Sequence, residues 1–393
     1  MVDSIGQPDW MTDPAAVAVL GALEAAGGPD CARFVGGCVR NAVIGRPISD
    51  VDIATVLTPD AVAGALQSAG LRAVPTGVEH GTVTAIADHR PFEVTTLRRD
   101  VETDGRRAVV AFTTDWAEDA QRRDFTLNAL YARRDGSLYD PTGRGVDDAL
   151  AGRIVFVGDA AMRLREDHLR SLRFFRFLAW YGAGEPDGEA LAAIAALAPA
   201  TAGLAAERVQ AELLKLLAAP DPRAALRLMA ESGVLAVVAP EATDLERLDR
   251  LVAEAGPADP LLRLAALVSG GPDAGLAFAR RLRLSNAARD RLAAALGPLP
   301  DDGRAGIYRL GAVAFADRAR LAFAGPEVVA LAEQWTAPTF PLGGDDAIQA
   351  GLPRGPQVGE ALRAVEAWWI EQGFPPREAA EAKLQSVVRE MAR

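Results

Sequence analysis

The sequence predicts an α+β chain: strands and helices mixed in roughly the first 150 residues, then helices alone to the end. Three observations lead there. Short runs rich in Val, Ile, Thr and Phe, bounded by Gly, Pro or Asp, recur between residues 32 and 139. From Ile154 onward they give way to longer apolar-periodic segments with Asp-Pro starts and Gly stops. Half of the 393 residues are apolar and 24% are charged, a composition that supports sizeable cores, and the length suits two or three domains.

Taken in order, Asp13-Pro14 ahead of an Ala/Val/Leu run reads as an N-cap with proline at the first helical position, and Gly27-Gly28 ends that helix. Residues 33–55 (RFVGGCVRNAVIGRPISDVDIAT) read as a strand, a Gly-Gly turn, a short helix and a second strand carrying Asp50 and Asp52. Alternation along that strand sends both aspartates to one side and Val51 and Ile53 toward the core. Two adjacent carboxylates in a polar cleft are costly without a cation, and oxygen-only ligands favour magnesium. Gly36 and Gly37, at a strand-to-helix turn, let backbone approach a ligand and aim amide groups at phosphate. A polyphosphate cradle beside paired metal carboxylates points to a nucleotide handled by metal ions.

Thr58-Pro59 caps a helix to about Gly70, and residues 81–87 and 91–98 form a hairpin across a short polar connection. Glu93 shares a strand face with Thr95; it either joins Asp50 and Asp52 as a third carboxylate or lines a solvated edge. Residues 115–130 read as one helix on which Arg122, Arg123 and Asp124 crowd together ahead of Phe125, in isolation an ordinary salt-bridged surface. The Gly- and Pro-bearing stretch 140–148 marks a loop or hinge, with a domain boundary near 150. Residues 165–182 read as a single amphipathic helix closed by Gly182. On it Glu166, Asp167, Arg170 and Arg173 fall within an arc of about 120°, away from Leu169, Leu172 and Phe175. The plain reading of Asp167 and Arg170 is an i,i+3 surface ion pair. Helices follow near 206–217, 222–232 and 260–268 and onward to residue 393, with a Pro- and Gly-rich connection at 338–356 before the last two.

Composition also excludes. No run approaches eighteen uncharged apolar residues and no basic-then-apolar leader opens the chain, so neither a membrane span nor a secretory signal is expected and cytoplasmic location is the default. Two cysteines, Cys31 and Cys38, are too few for a disulfide framework or a cysteine zinc site. A net charge of −11 argues against a general polyanion binder while leaving room for a local basic groove. The three histidines all lie at or before residue 168, which excludes a histidine metal site in the later helices.

In this order, these residues resemble the class II tRNA nucleotidyltransferases, the CCA-adding enzymes and the related bacterial poly(A) polymerases. The family's Gly-Gly-x-Val-Arg-Asp and Asp-x-Asp motifs are matched by Gly36, Gly37, Val39, Arg40, Asp50 and Asp52, with Asn41 where the family usually has aspartate. Glu93 to Thr96 match its Glu-Val-Thr-Thr strand, and Arg122 to Ala129 match Arg-Arg-Asp-Phe-Thr-x-Asn-Ala. Asp140, Gly143 and Asp147 match a flexible element in which Arg144 replaces a glycine. Glu166, Asp167 and Arg170 match Glu-Asp-x-x-Arg, with His168 where proline is common; Glu207, Arg208, Glu212 and Lys215 resemble the last motif. Residues 351–360 resemble the family's C-terminal tail, so the likeness spans the chain.

The resemblance implies a mixed-sheet, polymerase-beta-like nucleotidyltransferase head (1–150), a helical neck (151–219) and a helical body and tail that bind tRNA (220–393). It implies attack of an RNA 3′-hydroxyl on the α-phosphate of CTP or ATP, with two Mg2+ ions on Asp50 and Asp52 and Glu93 as an additional catalytic carboxylate. Gly36, Gly37 and Arg40 would hold the triphosphate; Arg122, Arg123, Asp124 and Asn128 the nucleotide and its ribose; Arg173, Glu207 and Arg208 would be supporting residues. Asp167 and Arg170, with Glu166, would read the base. Cytosine and adenine each present an amino donor beside a bare ring nitrogen, whereas guanine and uracil present the reverse. An acceptor-only carboxylate beside a donor-only guanidinium therefore takes C and A and refuses G and U. The expected activity is template-independent addition of C, C and A to the tRNA 3′ end. A poly(A) polymerase or a partial CC- or A-adding enzyme of the same fold is the alternative, and a silent RNA-binding homologue the remote one. No protein partner is indicated.

Overall fold

The computed structural model describes residues 2–104, 107–254 and 257–391, and the chain groups into two compact units, Met1–Pro240 and Glu241–Arg393.

The first unit carries all nine described strands: β1 (Ala32–Val35), β2 (Asp52–Thr55), β3 (Arg72–Gly77), β4 (Thr82–Ala87), β5 (Arg90–Thr96), β6 (Arg98–Asp104), β7 (Arg107–Phe112), β8 (Tyr131–Ala132) and β9 (Leu138–Tyr139). Seven of them form one mixed sheet in the order β3-β4-β5-β2-β1-β8-β9, while β6 and β7 pair as a separate hairpin. The one parallel contact, β2 with β5, sets Asp52 opposite Glu93 and Ile53 opposite Val94. Antiparallel pairing continues the rows: Phe34 lies opposite Ile53, and Val83 opposite Val94. Phe34, Ile53, Val83 and Val94 are all buried, so this apolar row fixes the register of four strands. The neighbouring row, Asp52-Glu93-Thr84, must face the other way. Helices Pro14–Gly27 and Pro59–Ser68 pack against the sheet and against each other. Both start as expected, on the side chains of Asp13 and Thr58, each with proline in the first turn. The β4–β5 hairpin also forms as expected, its two-residue turn holding Asp88 and His89 at positive φ (47° and 58°).

Several elements differ from the sequence reading. β2 begins at Asp52, so Asp50 lies on the loop before it rather than on the strand. The helix expected over 115–130 covers only Trp116–Gln121. Phe125 is then extended, bridges to Phe156, and leads into a 3-10 turn at Thr126–Asn128. Long-range pairing of the charged residues, described below, outweighs their helical propensity. The expected 165–182 helix is two, Ala160–Glu166 and Leu169–Tyr181, broken at Asp167 with φ −153° and ψ 105°. The 140–148 loop ends early, in a helix at Gly145–Ala151, and strands β3, β6 and β7 were not anticipated.

The second unit is helical throughout its described residues, from Leu245–Ala253 to Arg377–Met391. One of its cores gathers Val365, Trp369, Ile370 and Leu384 from the last two helices. A short helix, Gly344–Gln349, interrupts the Pro- and Gly-rich connection, and the helix expected to reach Arg393 is described as far as Met391. No described helix is long and apolar enough to cross a membrane.

Candidate active site

Strand β1 delivers the chain to Gly36 at φ 73° and ψ −122°, a conformation open to glycine and strained for any residue with a Cβ. The Gly36 amide donates to the Leu130 carbonyl at 3.0 Å, which ties the turn to the strand region on its other side. Helix Gly37–Val43 begins there, and its first bond runs from Arg40 N to Gly36 O at 2.9 Å. The Gly37 and Cys38 amides, one turn too early for a helical acceptor, remain to be satisfied by a ligand or water. Of the two glycines, Gly36 shapes the turn and Gly37 opens the helix. Cys38 is buried, its thiol pushed up to about 11 by burial, which suits a packing role and not a nucleophilic one.

Asp52 and Glu93 sit side by side on parallel strands, and Asp50 follows two residues before. Burial pushes the Asp52 carboxyl up to about 6, and the charges of Glu93 and Asp50 push in the same direction; Arg123 opposes them. A buried aspartate that resists ionisation beside two further carboxyl groups, for want of a counter-charge, fits a hard divalent cation. Asp50 is exposed and accepts from Ser49 Oγ at 2.9 Å. Among the described residues no three acidic, His or Cys side chains already converge on a common point, so ligation would draw the exposed Asp50 toward Asp52.

The Arg122-Arg123-Asp124 triplet is an interior junction. Both arginines converge on Asp119, which is 1% exposed: Arg122 Nε at 2.8 Å, Arg123 Nη2 at 3.0 Å, with the Tyr131 hydroxyl donating to it at 2.7 Å. Burial alone would raise the Asp119 carboxyl, but Arg123, Arg122 and the Tyr131 hydrogen bond hold it down at about 2. Arg123 Nη1 lies 3.7 Å from where a Cβ on Gly36 would stand and makes no protein hydrogen bond among the described residues. This side chain therefore turns a guanidinium edge toward the Gly36 turn and Asp52. Asp124 faces inward, accepting from Phe125 N (2.8 Å), Asn128 Nδ2 (3.0 Å) and Arg173 Nε (2.7 Å).

Asn128 Oδ1 in turn accepts from Arg40 Nη1 at 2.6 Å, and Arg40 Nη2 donates to the Tyr181 hydroxyl at 2.8 Å. Arg40 was expected at the triphosphate. It is 6% exposed, lies 4.0 Å over the Tyr181 ring, and gives four of its five N–H groups to Asn128, Asn41 and Tyr181. It links the Gly37–Val43 helix to Leu169–Tyr181, and its Nη2 also lies 3.7 Å from where a Cβ on Gly37 would stand.

At the break between the two helices, Asp167 Oδ1 accepts from Leu169 N at 3.0 Å and so caps the second helix, while Oδ2 accepts from Arg208 Nη2 at 2.7 Å. Arg170 does not pair with Asp167. It binds Glu166 and donates to the Arg163 and Arg122 carbonyls, both at 3.0 Å. Glu166 is held between Arg170 and Arg163 Nη2, the latter at 2.7 Å, so each of its oxygens already accepts from one arginine. The i,i+3 surface pair is thus absent. Asp167 keeps unused lone pairs, and Arg170 keeps Nε–H and one Nη2–H. Arg176 and Arg173 meet the buried Glu212, and Glu207 is exposed in the first turn of Ala206–Leu217.

Asp119, Tyr131, Tyr181, Arg163 and Arg176 escaped the sequence reading. Asp119 had a signal, since it precedes Arg122 and Arg123 by three and four residues. Tyr181 had none, because its partner Arg40 is 141 residues away, and Tyr131 lies beyond the segment read as one helix.

The Poly A polymerase head domain family matches residues 32–155, and the family described as the probable RNA and SrmB-binding site of polymerase A matches residues 185–245. The mitochondrial CCA tRNA nucleotidyltransferase 1 of Mus musculus is 34% identical over 376 residues, covering 87% of this chain and 83% of that protein. The CCA-adding enzyme of Lacticaseibacillus paracasei is 33% identical, covering 94% of each. Among solved structures, the Bacillus stearothermophilus CCA-adding enzyme in complex with CTP superposes with a TM-score of 0.80 at 30% identity, covering 96% of this chain and 98% of that one.

Proposed function

The chain belongs to the family of CCA-adding tRNA nucleotidyltransferases, and we propose that it completes tRNA 3′ ends by adding C, C and A from CTP and ATP without a nucleic-acid template. Nucleotidyltransferases of this kind use divalent metal ions. Here Asp50 and Asp52 would hold two Mg2+ ions, and Glu93, paired beside Asp52, would position or deprotonate the attacking hydroxyl. Metal bound there would supply activation of the RNA 3′-hydroxyl and neutralisation of the departing pyrophosphate.

The chain's own residues do the rest. The Gly37 and Cys38 amides, presented by the Gly36 turn, and the free edge of Arg123 bind the triphosphate. Arg122, Asp124 and Asn128 hold the nucleotide's surroundings in register, with Arg40 and Arg173 locking them to the Leu169–Tyr181 helix. Asp167 accepts the exocyclic amine of C or A, and the remaining N–H groups of Arg170 donate to the ring nitrogen. Guanine or uracil would leave charged groups facing like partners, at a cost on the order of 1–3 kcal/mol per group. Arg208 orients Asp167, and Glu166 orients Arg170. Residues 1–150 carry the chemistry, 151–219 choose the base and 220–393 grip the tRNA. The two free, buried cysteines suit a reducing compartment, the cytoplasm.

The observation that carries the reading is one compact unit holding both the Asp52–Glu93 row and the Asp167/Arg170 edge. Its test is incubation with tRNA lacking its 3′ terminus, Mg2+ and each nucleotide. Addition of C, C and A followed by arrest is expected; a long A tract, or no incorporation at all, contradicts it.

A further inference from the structure

We propose that Asn41 is a positioning residue that anchors the loop carrying Asp50, a task for which its carboxamide is suited and the aspartate usual in the family motif is not. Arg40 is donor-only, and both its Nε (3.1 Å) and Nη2 (2.9 Å) meet Asn41 Oδ1. That fixes the amide's orientation, so Nδ2 is the atom that donates to the Pro47 carbonyl at 2.8 Å. The backbone of the same residue holds the loop as well: Asn41 O accepts from Arg46 N at 2.8 Å, with Gly45 turning the chain at φ 67°. Arg46 then donates to the Trp180 carbonyl and lies 4.9 Å over the Tyr181 ring.

Beyond Pro47 the fastening stops. Among the described residues, the one side-chain hydrogen bond reaching positions 48–51 is that between Ser49 and Asp50 themselves. The Asn41–Pro47 bond is therefore the last anchor before Asp50. Through Arg40 it ties that loop to Asn128 and Tyr181, and so to the frame that also holds Asp124 and Arg173. A carboxylate at position 41 would keep the Arg40 contact and lose the anchor, because it has no hydrogen to give the Pro47 carbonyl. Asn41 is half-buried at the surface end of its helix, so substitution there leaves the core intact.

The inference rests on Asp50 and Asp52 being the metal pair, and the test separates the two ideas. Hydrogen–deuterium exchange of residues 44–51 is followed in the metal-free full chain, and Mn2+ affinity is measured by EPR titration. Asn41→Asp should exchange this segment about 3- to 10-fold faster, the factor of one ordinary hydrogen bond, and weaken Mn2+ binding by a similar factor. Asn41→Ala should do the same. Unchanged exchange in both variants, or faster exchange in Asn41→Ala alone, overturns the anchor; the second result would credit the Arg40 contact instead. Asp52→Ala should lose Mn2+ binding with native exchange at 44–51. If it binds Mn2+ as the wild type does, the metal assignment fails while the exchange result still decides the anchor.

Discussion

Asp119 shows how a residue remote from substrate fixes the site. Its buried carboxylate holds Arg122 and Arg123 in place, and Arg123 in turn faces the Gly36 turn. A carboxyl held at about 2 in the folded chain, against an ordinary 3.8, stabilises folding above pH 4. That contribution, roughly 2 kcal/mol, disappears as the pH falls from 4 toward 2. Asp119→Asn should flatten this part of the acid-denaturation curve. It should also lower stability at pH 7 by about 2–4 kcal/mol, because two part-buried guanidiniums lose their counter-charge. Urea melts across the pH range check both; an unchanged pH profile in the variant would show that the three charges do not act together. Residues of this type were the least legible in the sequence. Asp52 stood out by its spacing from Asp50, while Glu93, Asp167 and Arg170 were singled out by the family motifs they match. The hydrogen bonds of Arg40, Asn128 and Tyr181 connect positions up to 141 residues apart, and nothing local records them.

At the scale of elements, legibility followed locality. The β4–β5 hairpin and the Asp13 and Thr58 caps depend on neighbours in sequence and formed as expected. The 115–130 and 165–182 segments did not, since each is interrupted where a charged residue finds a distant partner: Asp124 with Arg173, and Asp167 with Arg208. Proline at position 168 would have announced the second break, but His168 conceals it. In the proposed reading the Gly36 turn is the element whose geometry would matter most for the nucleotide. Gly36→Ala meets no steric obstacle within 3.4 Å, so its effect is backbone strain, about 1–3 kcal/mol. If the turn relaxes to relieve that strain, the Gly37 and Cys38 amides re-aim. The Michaelis constants for CTP and ATP should then rise together, without a change in preference between them. A selective loss of one nucleotide would place the turn at the base instead of the triphosphate.

Over the whole molecule, the acidic total and the RNA substrate are reconciled by confining each job. In the proposed reading, phosphate binding would call on a few arginines near one turn, and base choice on one helix junction. The α+β class and its helical remainder were legible because strand and helix periodicities separate cleanly near residue 150. The compact unit reaching to Pro240 was not legible, because Arg173 with Asp124 and Arg40 with Tyr181 tie the segments on either side of the expected boundary near 150.

The central claim is that metal chemistry at Asp50 and Asp52 and base choice at Asp167 and Arg170 are separate functions of one site. The most direct test measures incorporation of CTP, ATP, UTP and GTP onto tRNA lacking its 3′ terminus, by wild type and Asp167→Ala. The account predicts that the variant still transfers nucleotides, while its discrimination of CTP and ATP from UTP and GTP falls by at least about tenfold. Undiminished discrimination by an active Asp167→Ala enzyme would contradict it.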